Sequence, residues 1–302
     1  MINQTYPSDL IEHIILDDFS SDNSVEIIKT LIKKYNYKCK FIRNKKNQGI
    51  CVSQNRILKL SKGKYFTSLH DDIWDKNRLK ILISNLEKSD NLDAAIFSNF
   101  IQINKKNEII NGPYFPKDFI LPKDKFSAFL TSKRLLLSTP TSIIKTKILK
   151  KIGGYNENLF MEDFDMWLKI LLKYNVLYVN KSLVKYRSHD KNTSKVHWDK
   201  MIQSCYLSIE EIEKKTNLSE PQIKALLIRK LLISKQMFII ELKKNSLKAK
   251  QTCIKLYKNL KKSKLNEIKF INETLDNFLI YVFKRDSTAA CNTKNILNHK
   301  CK

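Results

Sequence analysis

Three pairs of acidic residues stand at what read as strand-to-helix junctions: Asp17 and Asp18 in "IILDDFSSDNS", Asp71 and Asp72 in "KYFTSLHDDIWDKNRLK", and Glu162 and Asp163 in "NLFMEDFDMWLKI". Adjacent carboxylates at a strand end suit a hard divalent cation such as Mg²⁺ or Mn²⁺, which takes oxygen ligands and is often shared with substrate phosphates. A cation in that position stabilises a diphosphate as a leaving group. A carboxylate at the head of an amphipathic helix can instead act as a general base toward an incoming hydroxyl. Taken singly, each pair reads equally as a helix cap with a favourable dipole contact. Three pairs at three junctions point further, because an open α/β sheet collects its strand-end loops along one rim.

The elements that would carry these pairs alternate up to about residue 190. "LIEHIIL" (10–16) reads as a strand, "SVEIIKTLIKKY" as a helix, "KCKFIRN" as a second strand and "ICVSQNRILKLSKG" as a helix that stops near Gly63. "KYFTSL" is a third strand, "DKNRLKILISNLEK" a helix and "DAAIFSNFIQIN" a longer strand. Such alternation predicts an α/β fold with a mostly parallel sheet flanked by helices. Gly153 and Gly154 mark a helix stop ahead of the Glu162–Asp163 helix. After about residue 195 the strand signals give way to helical spacing with interleaved Lys, so two parts are expected, 1–195 and a basic helical region at 196–302.

A chain of 302 residues with 42% hydrophobic content can bury a sizeable core. Its net charge of +26, half of it from Lys200 onward, favours anionic partners, nucleic acid or an anionic membrane face. The basic residues are scattered over helix faces without a recognisable nucleic-acid motif, so no nucleic-acid partner is expected. Six cysteines without CxxC spacing point away from a disulfide or zinc framework and toward a reducing cytosol. No apolar run approaches a membrane span, and the apolar bursts "MFIIEL" and "FLIYVF" read as faces of packed helices.

In order and spacing, "NQTYP", "IILDDFSSDNS", "NKKNQGICVSQNRILKLSKGKYFTSLHDDIWDKNRL", "TPTSIIKTKILKKIGGYNENLFMEDFDMWLKI" and "VKYRSHDKNTS" resemble the family 2 glycosyltransferases with the GT-A, Rossmann-like fold. The resemblance covers residues 1 to about 195. It implies a nucleoside-diphosphate sugar donor, UDP-linked by preference, and a glycan or lipid-linked hydroxyl acceptor in surface polysaccharide synthesis. It further implies inversion at the anomeric carbon, an Mn²⁺ or Mg²⁺ cofactor, and work in the cytoplasm with peripheral contact at the inner membrane face. Asp17, Asp18 and Ser20 would then hold the nucleotide, and Asn47, Gly49 and Asn55 fall in a stretch that resembles the donor segment, although they could equally serve the turn and helix. Asp71 would meet the metal and Asp72 the donor, and Asp163, with Glu162 close behind, would supply the base. His189 in "YRSHDKNTS" would touch the metal or diphosphate, although a surface-loop histidine without chemistry fits the residue equally, and Arg187 shares that ambiguity.

The chain departs from the resemblance in two places. It opens at Met1 inside the helix that would follow a first buried strand, which implies an unpaired strand edge beside residues 10–16. Leu69 stands two positions before Asp71 where an acid is expected. A non-catalytic homologue of the same fold is therefore a second reading, and a basic nucleic-acid-binding protein a third.

Overall fold

The computed structural model describes residues 1–131, 137–215 and 217–244. The chain divides into two compact units, Met1–Ala225 and Leu226–Lys302. The first unit opens with a short 3-10 turn at Ser8–Leu10, then β1 (Ile14–Asp17), α1 (Ser24–Lys34), β2 (Lys40–Arg43), α2 (Ile50–Leu60), β3 (Tyr65–Phe66), β4 (Ile73–Trp74) and α3 (Arg78–Glu87). It continues with β5 (Asp93–Ile103), β6 (Ile109–Asn111), α4 (Lys125–Thr131), β7 (Ser142–Lys145), α5 (Thr146–Lys151), α6 (Asp163–Lys173) and β8 (Asn175–Arg187). The helices α7 (Thr193–Val196) and α8 (Trp198–Lys215) follow, and α9 (Glu220–Lys244) runs on into the second unit. The first unit includes α8, which packs on α6 and whose Ser204 Oγ accepts the Phe160 N–H, in the loop before α6, at 2.9 Å. The apolar burst "FLIYVF" lies outside the described residues.

The strands form two groups, a parallel pair β1–β2 and a six-stranded sheet in the order β3-β7-β5-β8-β4, with β6 on β5. The parallel character expected from the alternation resides in β1–β2 and in the long ladder from Asp93↔Asn175 to Ile103↔Arg187. The shorter β3–β7, β4–β8, β5–β6 and β5–β7 ladders are antiparallel, a feature that alternation of elements does not report. Burial pattern explains why the long strand was legible: β5 is buried at nearly every position, the continuous apolar run of a strand covered on both faces.

Helix α3 shows the packing logic. Its Leu79, Leu82, Ile83 and Leu86 recur at helical spacing and join Ile96, Ile143 and Leu183 in one core cluster. Each such fully buried side chain is worth about 1.5–3 kcal/mol relative to exposure. Met1, Tyr6 and Ile11 pack on the same cluster, so the residues ahead of β1 are held on the α3 face. Arg78 at the head of α3 is fully buried, stacked over Trp74 at 4.0 Å and donating to the carbonyls of Pro140 and Ser142 at 3.1 and 2.8 Å. It fastens α3 to the segment that enters β7.

Candidate active site

None of the three acidic pairs makes a side-chain cap hydrogen bond to a helix, although Glu162 occupies the N-cap position of α6. Helix α1 begins after Asn23, with Asp22 accepting the Ser24 N–H at 3.0 Å, well past Asp17 and Asp18. Helix α3 begins after Asn77, whose N–H goes to Asp75 at 2.8 Å, well past Asp71 and Asp72. Glu162 and Asp163 do stand at the head of α6, but no side chain caps that helix. The carboxylates are therefore available for other work.

Asp17 and Asp18 lie at the carboxyl end of β1 and face different partners. The buried Asp17 accepts from Arg43 Nε at 2.9 Å and from the Ser20 N–H at 3.2 Å. Burial acts to raise its pKa, but the Ser20 hydrogen bonds and the Arg43 guanidinium outweigh it and hold the carboxyl below its usual range. Asp18 accepts from Asn44 Nδ2 at 2.6 Å and from the N–H groups of Gln48 and Gly49 at 2.9 and 2.8 Å. It thereby orders the turn into α2, where Gly49 takes φ +84°, a conformation that costs glycine little. Asn47 is exposed in that turn.

Asp71 and Asp72 are strapped to the end of β8. The Arg187 N–H donates to Asp72 Oδ1 at 2.7 Å and its Nε to the Asp71 carbonyl at 2.8 Å, while Nη1 reaches the Asn104 carbonyl at 3.1 Å. His189 Nε2 sits 2.8 Å from Asp71 Oδ2. Burial pushes Asp72 up to about 6, eased by the Arg187 N–H and reinforced by the charge of Asp71. Burial likewise pushes Asp163 up to about 7, with Glu162 adding and the nearby His70 opposing, and burial raises Glu162 as well. Tyr186, beside Arg187 on β8, is pushed up to about 12 by burial and then by the charges of Asp72, Asp163, Asp71 and Glu162. The Arg187 strap and the His189–Asp71 contact join the loop at Asp71 and Asp72 to the end of β8.

Asp17 and Asp18 are linked to the loop at His70 through α2. Asn44 donates to Ser53 Oγ at 3.0 Å, and the adjacent Gln54 accepts from Ser68 at 3.0 Å and lies 3.5 Å from His70 Nε2. The expectation that Asp17, Asp71 and Asp163 gather around a single ion is corrected here. They occupy one rim but two groups, since Asp17 is committed to Arg43 and Ser20, and among the described residues no three His, Cys, Asp or Glu side chains form a ligand set. Asn55 holds the loop ahead of α6: it donates to the Tyr155 carbonyl and to Glu157, both at 2.8 Å, and accepts the Tyr155 N–H at 2.9 Å. Asn44, Gln54, Tyr186 and the strap role of Arg187 were not singled out by the sequence, where nothing but their place on strand or helix ends marks them.

A divalent cation fits the donor set at Asp71 and His189. The pair offers one carboxylate and one imidazole on a rim where Asp71 is half exposed, 49% by side chain, which leaves coordination positions for phosphate oxygens and water. Leu69 contributes no ligand.

The mixed α/β sheet with flanking helices matches that of GT-A glycosyltransferase structures. The chain aligns over 95% of its length with 77% of S. aureus TarS 1-349 in complex with UDP-GlcNAc, at TM-score 0.56 and 17% identity. It aligns over 93% of its length with 79% of the mannosyltransferase PcManGT of Pyrobaculum calidifontis in complex with GDP-Man and Mn²⁺, at TM-score 0.57 and 14% identity. The family model "Glycosyl transferase family 2" matches residues 1–153, and the chain belongs to that family. An uncharacterized glycosyltransferase of Rickettsia typhi is 33% identical over 196 residues, 63% of this chain and 58% of its own. The chain spans 31% of the corresponding Rickettsia felis protein, so it accounts for only part of the length of these relatives.

Proposed function

We propose that this chain transfers a sugar from a nucleoside-diphosphate sugar, UDP-linked by preference, to a hydroxyl of a glycan or lipid-linked acceptor in surface polysaccharide synthesis, with inversion. The observation that supports this reading best is the strap that holds Asp71 and Asp72 against Arg187 and His189 at the end of β8. The Asp71–His189 pair suits the diphosphate and the Glu162–Asp163 pair the acceptor.

In this reading Asp17, Ser20 and Arg43 form the nucleotide end, and Asp18 shapes the turn bearing Asn47 and Gly49 along which the donor lies. Asp71 and His189 would hold Mn²⁺ or Mg²⁺, which when bound neutralises charge developing on the leaving diphosphate. Asp72, tied to the Arg187 N–H, fixes the loop that presents Asp71 and faces the donor sugar. Asp163 takes the proton from the acceptor hydroxyl as that oxygen attacks the anomeric carbon, and its raised pKa matches a base working near neutral pH. Glu162 beside it raises that proton affinity further. Asn55 and Gly154 position the loop that carries both acids.

Among the described residues no helix is long and apolar enough to cross a membrane. The basic region would contact an anionic membrane only peripherally.

The test is release of the nucleoside diphosphate from a panel of UDP-, GDP- and dTDP-sugars with Mn²⁺, read with and without acceptor extracts. Metal-dependent release from one donor supports the reading. Absence of release and of any nucleotide-induced thermal shift across the panel overturns it and favours the non-catalytic homologue.

A further inference from the structure

Helix α1 carries two apolar rows, and the fold covers only one of them. Val25 is buried, and Ile28 and Ile32 beside it are half-buried. Ile27, Leu31 and Tyr35 form the second row and are 54%, 46% and 55% exposed. Residues four apart drift only about 40° around a helix and about 6 Å along it, so these three side chains make one continuous strip about 12 Å long. Tyr35 closes the helix, its N–H donating to the Leu31 carbonyl at 3.1 Å, and extends the strip past the last turn.

Positive charge is concentrated on the same stretch. Lys29 pairs with Glu26 at 3.2 Å, and Glu26 is the only acid from residue 24 to residue 46. The other six lysines of that stretch, Lys33, Lys34, Lys38, Lys40, Lys45 and Lys46, are exposed. Lys34 borders the apolar strip directly, with its Nζ 5.4 Å from the centre of the Tyr35 ring.

Strip and charge together select the occupant. Three half-exposed side chains fall far short of the ~800 Å² that each partner gives to a stable protein interface, and two copies would oppose like charges. A nucleic acid would neutralise the lysines but leave Ile27 and Leu31 in water. An anionic bilayer satisfies both features: its phosphates meet the lysines, and an apolar helix face sinks about 5–10 Å into the boundary between headgroups and acyl chains. The Tyr35 side chain, an apolar ring with a polar tip, suits that boundary.

We propose that α1 is a membrane-docking helix, which sets Ile27, Leu31 and Tyr35 into the surface of an anionic bilayer while the lysines around them, Lys34 foremost, hold the lipid phosphates. This contact is separate from the one proposed for the basic region at 196–302, and it does not rest on the sugar transfer. The loop from Asp18 to Asn23 joins α1 to the rim that holds Asp17, so docking keeps that rim beside the lipid surface.

The experiment uses the full chain and no substrate. The protein is sedimented with vesicles of phosphatidylcholine alone and with vesicles in which about 30% of the lipid is phosphatidylglycerol, in about 0.1 M salt. The expected result is binding to the anionic vesicles at least tenfold tighter than to the neutral ones. Ile27→Ser and Leu31→Ser, both at exposed positions, each weaken it at least tenfold, and Lys34→Gln weakens it about fivefold, one lysine's share near an anionic surface. Ile120→Ser, an equally bare apolar position in the loop ahead of α4, leaves it unchanged. Equal binding to both vesicles, no binding to either, or anionic binding that all three α1 variants leave unchanged overturns the proposal. So does a dimer that Leu31→Ser dissolves, which assigns the strip to a second copy. Tighter binding to duplex DNA than to the anionic vesicles, weakened by Lys34→Gln, assigns the lysines to nucleic acid and overturns it as well.

Discussion

His189 Nε2 lies 2.8 Å from Asp71 Oδ2, although 118 residues separate them in the chain. The contact exists because β4 pairs with β8, bringing the loop before Ile73 against the residues that follow Arg187. If this pair holds the cation, chelation with EDTA abolishes donor turnover and Mn²⁺ restores it. Asp71→Asn and His189→Ala each raise the Mn²⁺ concentration for half-maximal release by about 10- to 100-fold, the scale on which metal-site substitutions act. A Mn²⁺ titration of nucleotide release measures it.

Asp163→Asn keeps the size of the side chain and removes its basicity. The expected loss in kcat is about 10²- to 10⁴-fold with little change in donor KM, as for loss of a general base. Glu162→Gln costs less, because Glu162 acts on the proton affinity of its neighbour. Steady-state kinetics on the two variants distinguish the roles, and a larger loss at Glu162 reverses the assignment.

Asp163 also sets the pH dependence. As a base it works deprotonated, so activity rises with pH and levels off above about 7. The stability effect runs the opposite way: the folded pKa is raised above the unfolded value, so the stability tied to its proton is present below about pH 4 and is lost as pH rises through about 7. Asp163→Asn removes that loss and raises Tm at pH 8 more than at pH 5. A pH series of thermal melts on both proteins measures the difference.

Two neighbouring glycines should respond differently to alanine. At Gly154, with φ +67°, an added Cβ meets Asn55 Oδ1 at 2.5 Å, so Gly154→Ala disturbs the hold of Asn55 on the acidic loop. At Gly153, with φ +89°, nothing lies within 4 Å and only backbone strain is added. Gly153→Ala is expected to cost about 1 kcal/mol and Gly154→Ala about 2–3 kcal/mol, with kcat reduced for the latter alone. Urea midpoints and kinetics on the pair measure both.

Much of the first unit was legible because its periodicity is strong. The helix predicted over "SVEIIKTLIKKY" is α1, and the strand predicted over "DAAIFSNFIQIN" is β5, to within a residue. "LIEHIIL" was legible only in part: β1 begins at Ile14, since Ser8–Leu10 form a 3-10 turn and Ile11 packs on α3. The acidic pairs were recognisable as a set, but not what each touches. Asn55 was read as either a donor-segment residue or one that serves the turn and helix, and the structure places it on Tyr155 and Glu157, partners a hundred residues away that no local pattern announces.

By itself the sequence determined where α1, α2, α3, β2, β3 and β5 arise and which carboxylates stand near their ends, because apolar spacing and turn residues act within a few positions of one another. Tertiary structure alone decided that β5 runs antiparallel to β7 and parallel to β8, and that β1 and β3 leave a cavity between them. It also decided that Asp71 and Asp72 meet His189 and Arg187 while Asp17 turns to Arg43. Strand order and side-chain partnership follow from the packing of distant segments on a common core, which local spacing does not encode.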